Sequence, residues 1–116
     1  MFQVIKRDGK TADFTLNRIS DAIVKAFDAT QMQYNRDIID LLSLRVTADF
    51  QEKVKDGRIH VEDIQDSVEK VLEQAGYAEA AKAYILYRKQ REKMRAMKST
   101  ILDYKEVVNS YVKIED

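Results

Sequence analysis

The chain has 116 residues, of which 45% are apolar, which suits one domain with a single core. Twenty basic residues balance twenty acidic ones, there is no Cys, and His60 is the one histidine. This excludes disulfides, thiolate chemistry, a His- or Cys-built metal centre and any global field drawing the chain onto nucleic acid or a membrane. With no Pro, three Gly and no apolar run near the ~20 residues that span a bilayer, the composition predicts long helices in a cytoplasmic protein without a signal peptide.

Phe2 to Phe14 reads as a β-hairpin. Phe2, Val4 and Ile5 form the first arm, Asp8-Gly9 the tight turn, and Thr11 to Phe14 the second arm. Lys6 and Arg7 alternate along the strand, so one cation points toward whatever covers the hairpin. A first helix begins after Thr15, a predicted N-cap, with Leu16, Ile19, Ala22, Ile23, Ala26 and Phe27 on one face. Arg18 stands in its first turn, where the helix dipole disfavours a cation unless an anion is near. After a polar loop, Ile38, Leu42, Val46, Phe50 and Val54 recur at steps of four in a second helix that Asp56-Gly57 ends. Arg58 to Val61 is a third strand or an extended link. A third helix follows, with Val61, Ile64, Val68, Val71, Leu72 and Ala75 on one face, and it stops at Gly76. The fourth is expected from Ala78 to Met97, with Ala78, Ala81 and Ile85 as its close-packing face. It carries a basic run from Arg88 to Lys98, and a separate short helix is expected after Ile101.

No catalytic constellation is visible. The serines and carboxylates have no His or Cys partner placed for nucleophilic catalysis, and Glu62 and Asp63 suit a helix start. The positive signal is a set of cations beside aromatics: Lys6 or Arg7 from the hairpin, Arg18 from the first helix, and Arg88 and Arg91 near Tyr84 and Tyr87 on the last. A nucleoside triphosphate asks for such cations, for backbone N–H groups like those after Phe14-Thr15, and for an apolar slot. Neither GxxxxGK[ST] nor GxGxxG occurs, so a P-loop or Rossmann site is excluded. Taken singly, each signal has a plainer reading as a solvated hairpin tip, a surface arginine, a core tyrosine stripe or a solvated basic face. Two other functions fit parts of the pattern: a nucleic-acid-binding or transcription-regulatory module using the basic helix 88–98, and a helical docking or dimerisation domain.

The succession VIKRDGK, FTLNRISDAIVKAF, RIHVEDIQDSVEKVL and AAKAYILYRKQR resembles the ATP-cone domain over about Gln3 to Arg95. The resemblance implies a mainly α (α+β) fold, in which an N-terminal β-hairpin or small three-stranded sheet caps a four-helix bundle. It places the cone at residues 1–98 and a linker toward an absent catalytic domain at 99–116. The last segments look like the anaerobic (class III) ribonucleoside-triphosphate reductase. That family likeness implies an allosteric domain binding ATP or dATP as effector, with Mg²⁺ on the triphosphate and no metal held by protein side chains. The implied partners are the catalytic domain of the parent reductase and a homo-oligomer formed through the cone, not a membrane or nucleic acid. The implied nucleotide-binding set is Val4, Lys6, Arg7, Thr15, Arg18, Ile19, Val61, Gln65, Tyr87, Arg88 and Arg91. Ala12 departs from the pattern, since several family members place there a Glu that helps hold ribose or base.

Overall fold

The computed structural model describes the backbone of residues 2–115 and the side chains of residues 2–97. Three short strands and four α-helices run in the order β1 (Gln3–Ile5), β2 (Thr11–Asp13), α1 (Leu16–Ala29), α2 (Arg36–Phe50), β3 (Arg58–His60), α3 (Val61–Gln74) and α4 (Ala78–Glu115). The protein is mainly helical with a small three-stranded sheet, as the sequence leads one to expect. It forms two compact units, Met1–Ile85 and Leu86–Asp116.

The hairpin forms, but its turn differs from the expected one. Lys6 N–H donates to Lys10 O at 2.7 Å, and Gly9 N–H donates to Lys6 O at 2.9 Å. Gly9 has φ 86°, so Arg7, Asp8 and Gly9 make a three-residue turn closed by a left-handed glycine. Asp8 Oδ1 accepts from Lys10 N–H at 2.9 Å and stiffens it. Arg7 therefore belongs to the turn, β1 ends at Ile5, and strand alternation does not govern where the two cations point.

Arg58 to His60 is a true strand, and its partner could not be read from the sequence. β3 lies parallel to β1, with Ile59 opposite Val4, giving the order β2-β1-β3. A parallel pair needs a long crossover, which α1 and α2 supply. Gly57 was expected to cap the second helix. Instead α2 stops at Phe50 and a 3₁₀ turn follows at Gln51–Lys53. Asp56 (φ 53°) and Gly57 (φ 72°) then form the centre of a tight turn in which Lys55 and Arg58 exchange backbone hydrogen bonds of 2.9 and 3.0 Å. Two consecutive left-handed residues are what an Asp-Gly pair accommodates at least strain.

α2 packs against both α1 and α3. The core is built from Ile23, Phe27, Ile39, Val46, Phe50, Val68 and Leu72, all nearly inaccessible. The helical spacing of the apolar residues predicted most of it. At its edges Leu16 and Leu41 face outward, and buried serines take places where the apolar pattern leaves gaps. Ser20 and Ser43 bond to each other at 2.9 Å across the α1–α2 seam, and Ser43 Oγ also donates to Ile39 O at 2.8 Å. On the α2–α3 seam, Lys70 Nζ reaches Asp49 Oδ1 at 3.0 Å. The Asp49 carboxyl is held below the usual carboxylate range, first by the Ser67 hydroxyl and then by Lys70 and Lys53, while burial opposes them. Among the described residues Ser67 Oγ has no hydrogen-bond partner of ordinary geometry.

The sheet rests on an aromatic cluster. Phe2 and Phe14 stack with centroids 4.4 Å apart, and both meet the Phe50 ring edge-on at 5.6 and 5.7 Å. This fixes the hairpin against the C-terminal end of α2. The buried start of α4 uses Ala80, Ala81 and Tyr84 rather than the expected Ala78, Ala81 and Ile85. The short final helix expected after Ile101 is not separate, because α4 continues to Glu115. Side chains beyond Met97, including Lys98 of the basic run, lie outside the described residues. No described helix is long and apolar enough to cross a membrane.

Candidate functional site

The start of α1 is electrostatically unusual in this fold. Thr15 is its N-cap residue with extended backbone (φ −131°, ψ 130°), as the sequence suggests, yet its side chain makes no capping hydrogen bond. No acidic residue stands in the first turn, and Arg18 does. The other helix starts are compensated. Asn35 Oδ1 accepts from Ile38 N–H at 2.9 Å at the head of α2, where Asp37 also stands. Glu62 and Asp63 occupy the first turn of α3. The positive end of α1 and the Arg18 cation therefore add, and such an arrangement favours an anion.

The hairpin contributes through its register. Val4 faces Ala12 on one side and Ile59 on the other, and both Val4 and Ile59 pack with the core. Ala12, the departure from the family pattern, thus lies on the core-facing side of the sheet. Lys6 follows Val4 by two positions and is exposed just past the end of β1. Arg7 leans back from the turn. Its side chain is 23% exposed, and its Nε lies 3.6 Å from Glu62 Oε1, which joins the hairpin tip to α3. Ile19 is 4% exposed in the core below the α1 start.

On α3, Val61 is half-buried at the first position and Gln65 follows one turn later. Gln65 Oε1 is sealed from solvent and accepts no hydrogen bond from any described protein group. A buried carbonyl oxygen without a partner costs about 1–3 kcal/mol. The link between Glu62 and Arg7 was not expected; the sequence shows only an acid at a helix start.

Tyr87, Arg88 and Arg91 lie on α4 in the second compact unit. There, Arg91 Nη1 donates to Tyr87 Oη at 3.0 Å, and its Cζ is 5.7 Å from the Tyr87 ring centroid. The i, i+4 spacing makes this contact, which combines a hydrogen bond with a cation–π interaction. Arg88 is half-buried. Tyr84, on the same sequence stripe, is a core residue of the first unit.

A separate cleft of ≈ 790 Å³ borders β3 and the 3₁₀ turn, among Ile5, Lys53, Lys55, Arg58, His60 and Asp63. Strand alternation puts Ile5 on the sheet face opposite Val4. Glu52, Asp56 and Asp63 offset the cations there, so this cleft has no preference for a polyanion. None of the expected nucleotide residues lines it. The cations Lys6, Arg7 and Arg18 lie instead on the hairpin and in the first turn of α1.

Residues 2–93 match the family described as the ATP cone domain. Among curated relatives, the chain is 43% identical over 102 residues to a ribonucleoside-diphosphate reductase subunit alpha of Chlamydia pneumoniae, covering 82% of this chain and 10% of that protein. It is 37% identical over 101 residues to a vitamin B12-dependent ribonucleoside-diphosphate reductase of Thermoplasma acidophilum, covering 83% and 13%. It is 36% identical over 103 residues to an anaerobic ribonucleoside-triphosphate reductase of Haemophilus influenzae, covering 86% and 14%. The matches thus span 10–14% of the length of these relatives.

Proposed function

The chain belongs to the ATP-cone family, and from that premise we propose that it is an allosteric effector domain of a ribonucleotide reductase, binding ATP or dATP at the hairpin and the start of α1. The observation that carries this reading is the uncapped, acid-free α1 N-terminus with Arg18 in its first turn. The N–H groups after Thr15 and the cations Lys6, Arg7 and Arg18 hold the phosphates. Val4 and Ile19 give apolar support, and Val61 and Gln65 meet the nucleoside from α3. Tyr87, Arg88 and Arg91 belong to the expected set through the sequence pattern of cations beside aromatics and through the family likeness. Mg²⁺ travels on the phosphates; no cluster of three or more His, Asp or Glu suited to a metal occurs among the described residues.

ATP and dATP differ by one hydroxyl. To regulate, the domain must hold two arrangements that the ligands favour unequally. A coupling of ~1–3 kcal/mol suffices, and one buried hydrogen bond made or lost is of that size, ~1–3 kcal/mol. The cone occupies residues 1–98 in this proposal. Residues 99–116 lead toward the catalytic part, and the output is a changed contact of the cone with that part or with another cone. A narrower form attaches the cone to an anaerobic triphosphate reductase. It is supported by the AYILYRKQR segment and the Haemophilus relative, and it is tested by reading the coding sequence past Asp116 for a C-terminal glycyl-radical motif.

Calorimetric titration of the chain with ATP and dATP, with and without Mg²⁺, tests the main reading. Saturable binding is expected, and Lys6→Ala weakens it while thermal unfolding stays unchanged. Absence of heat at millimolar nucleotide would refute it.

A further inference from the structure

We propose that residues 86–97 of α4 form a docking surface that lays the helix flat on an anionic lipid bilayer. The surface lies wholly in the second compact unit and does not rest on the nucleotide reading. Leu86, Met94 and Met97 are 59%, 67% and 62% exposed. At about 100° per residue they share one arc of roughly 80°, with Gln90 in its middle. By the same spacing, cations border the arc on both sides: Lys89 and Lys93 along one edge, Arg91 and Lys98 along the other. Glu92, the single acid among residues 88–98, falls on the far face with Arg88 and Arg95. The chain as a whole is neutral, but this stretch sets six cations against that one acid. The sequence keeps the pattern where α4 runs on. Ile101, Tyr104 and Val108 follow Met97 by four, seven and eleven residues, and Asp103 and Glu106 follow Glu92 by eleven and fourteen.

An apolar arc along a helix invites another helix, and the charges decide against a second copy. When two helices pair, the residues that border the seam lie side by side. Both borders are cationic here, so a parallel or an antiparallel copy would set like charges against each other. The partner must bring anions. A dry protein groove would also bury the Gln90 amide, which then has to find partners for each of its polar atoms. The boundary between headgroups and acyl chains meets all of these demands together. It gives apolar depth to Leu86 and the two flexible methionines, and water and headgroup oxygens to Gln90. It also puts lipid phosphates and carboxylates beside the bordering cations, whose long stems let the charged ends rise to that level. The charged far face keeps the helix on the surface rather than across the membrane.

The test is flotation of the chain with vesicles of phosphatidylcholine, alone or with about 30% phosphatidylserine, at about 0.1 M and about 0.5 M salt. Co-flotation with the anionic vesicles is expected, weaker at high salt, and none with the neutral ones. Each bordering cation contributes a factor of roughly five, so Lys93→Ala should weaken partition about five-fold and Lys89→Ala with Lys93→Ala about 25-fold. Met94→Ser with Met97→Ser should weaken it by about ten-fold or more. Arg95→Ala, on the far face, should cost less than about two-fold. All five side chains are exposed, so thermal unfolding of these variants should match wild type. Failure to float with anionic vesicles, equal flotation with neutral ones, or a loss from Arg95→Ala as large as that from Lys93→Ala overturns the proposal. Binding to a duplex oligonucleotide without binding to vesicles overturns it as well and assigns the basic run to nucleic acid.

Discussion

Replacing Phe50 by Leu tests whether the aromatic cluster is what seats the hairpin. Phe50 is inaccessible to solvent at the end of α2, and its ring receives Phe2 and Phe14 at interplanar angles of 77° and 78°. Leucine keeps a large apolar group in the core and removes both edge-to-face contacts. Each such contact is worth about 0.5–1.5 kcal/mol beyond area burial, so the pair amounts to roughly 1–3 kcal/mol. In a domain of this size each kcal/mol moves the melting temperature by about 4–8 °C. The expected drop is therefore roughly 5–20 °C, followed by circular dichroism, with urea unfolding as the companion measurement. Nucleotide affinity should fall with it, because Lys6 and Arg7 are presented by the hairpin that these rings anchor. A Phe50→Leu protein within about 0.5 kcal/mol of wild type, with unchanged nucleotide affinity, would show that the hairpin is held by something else.

Three further outcomes follow from the polar groups in and near the core. Gln65→Met removes a sealed acceptor that has no protein partner, so it should raise the unfolding free energy by about 1 kcal/mol while weakening nucleotide binding; a variant that loses stability would mean the amide is already satisfied. Ser43→Ala deprives Ser20 of its 2.9 Å partner and should cost about 1–2 kcal/mol. In a double-mutant cycle with Ser20→Ala the losses should be less than additive, and strict additivity would mean the two hydroxyls are uncoupled. Asp49 has a folded pKa below its unfolded one, so its contribution is complete at neutral pH and is lost as pH falls through the lowered value. Asp49→Asn should then reduce stability by about 0.2–1 kcal/mol near pH 7, and the gap from wild type should close as the pH falls through the lowered pKa of Asp49. A gap that persists in acid would assign the effect to packing.

The helices and most of the core could be read from periodicity, because burial of one face imposes a 3.6-residue repeat on residues such as Ile19, Ile23 and Phe27 or Val68, Val71 and Leu72. The identity of the cap residue Thr15 was also legible, but not that its hydroxyl would stay unused. That depends on backbone angles a few residues long, as does the widening of the Asp8-Gly9 turn to include Arg7. The parallel pairing of Gln3 with Arg58 was beyond any local signal, since it joins strands separated by two helices. The link from Arg7 to Glu62 was hidden for the same reason. Each has a sufficient local explanation, and only the fold brings them together. Buried Ser20 and Ser43 broke the apolar pattern because a small hydroxyl can bond back to its own helix, here to Leu16 O and Ile39 O, and lie flat against the next. The break expected after Met97 failed because no Pro or Gly stands there to enforce it.

The sheet also sets an order of events when the chain folds. β1 and β2 precede β3 in the chain and can close a hairpin before it, but a hairpin alone is marginal in water. Its second neighbour, β3, exists only after α1 and α2 have been made, and the strand runs straight into α3 at Val61. The β1–β3 pairing joins distant parts of the chain, such as Gln3 and Arg58, and pairing of that kind is slow to form. The hairpin that carries Lys6 and Arg7 therefore precedes its partner strand in the chain and is locked only after that strand is made. Slowing the α1–α2 crossover, for example by lengthening the loop before Asn35, should delay maturation of the ligand site while leaving helix formation on its own fast clock.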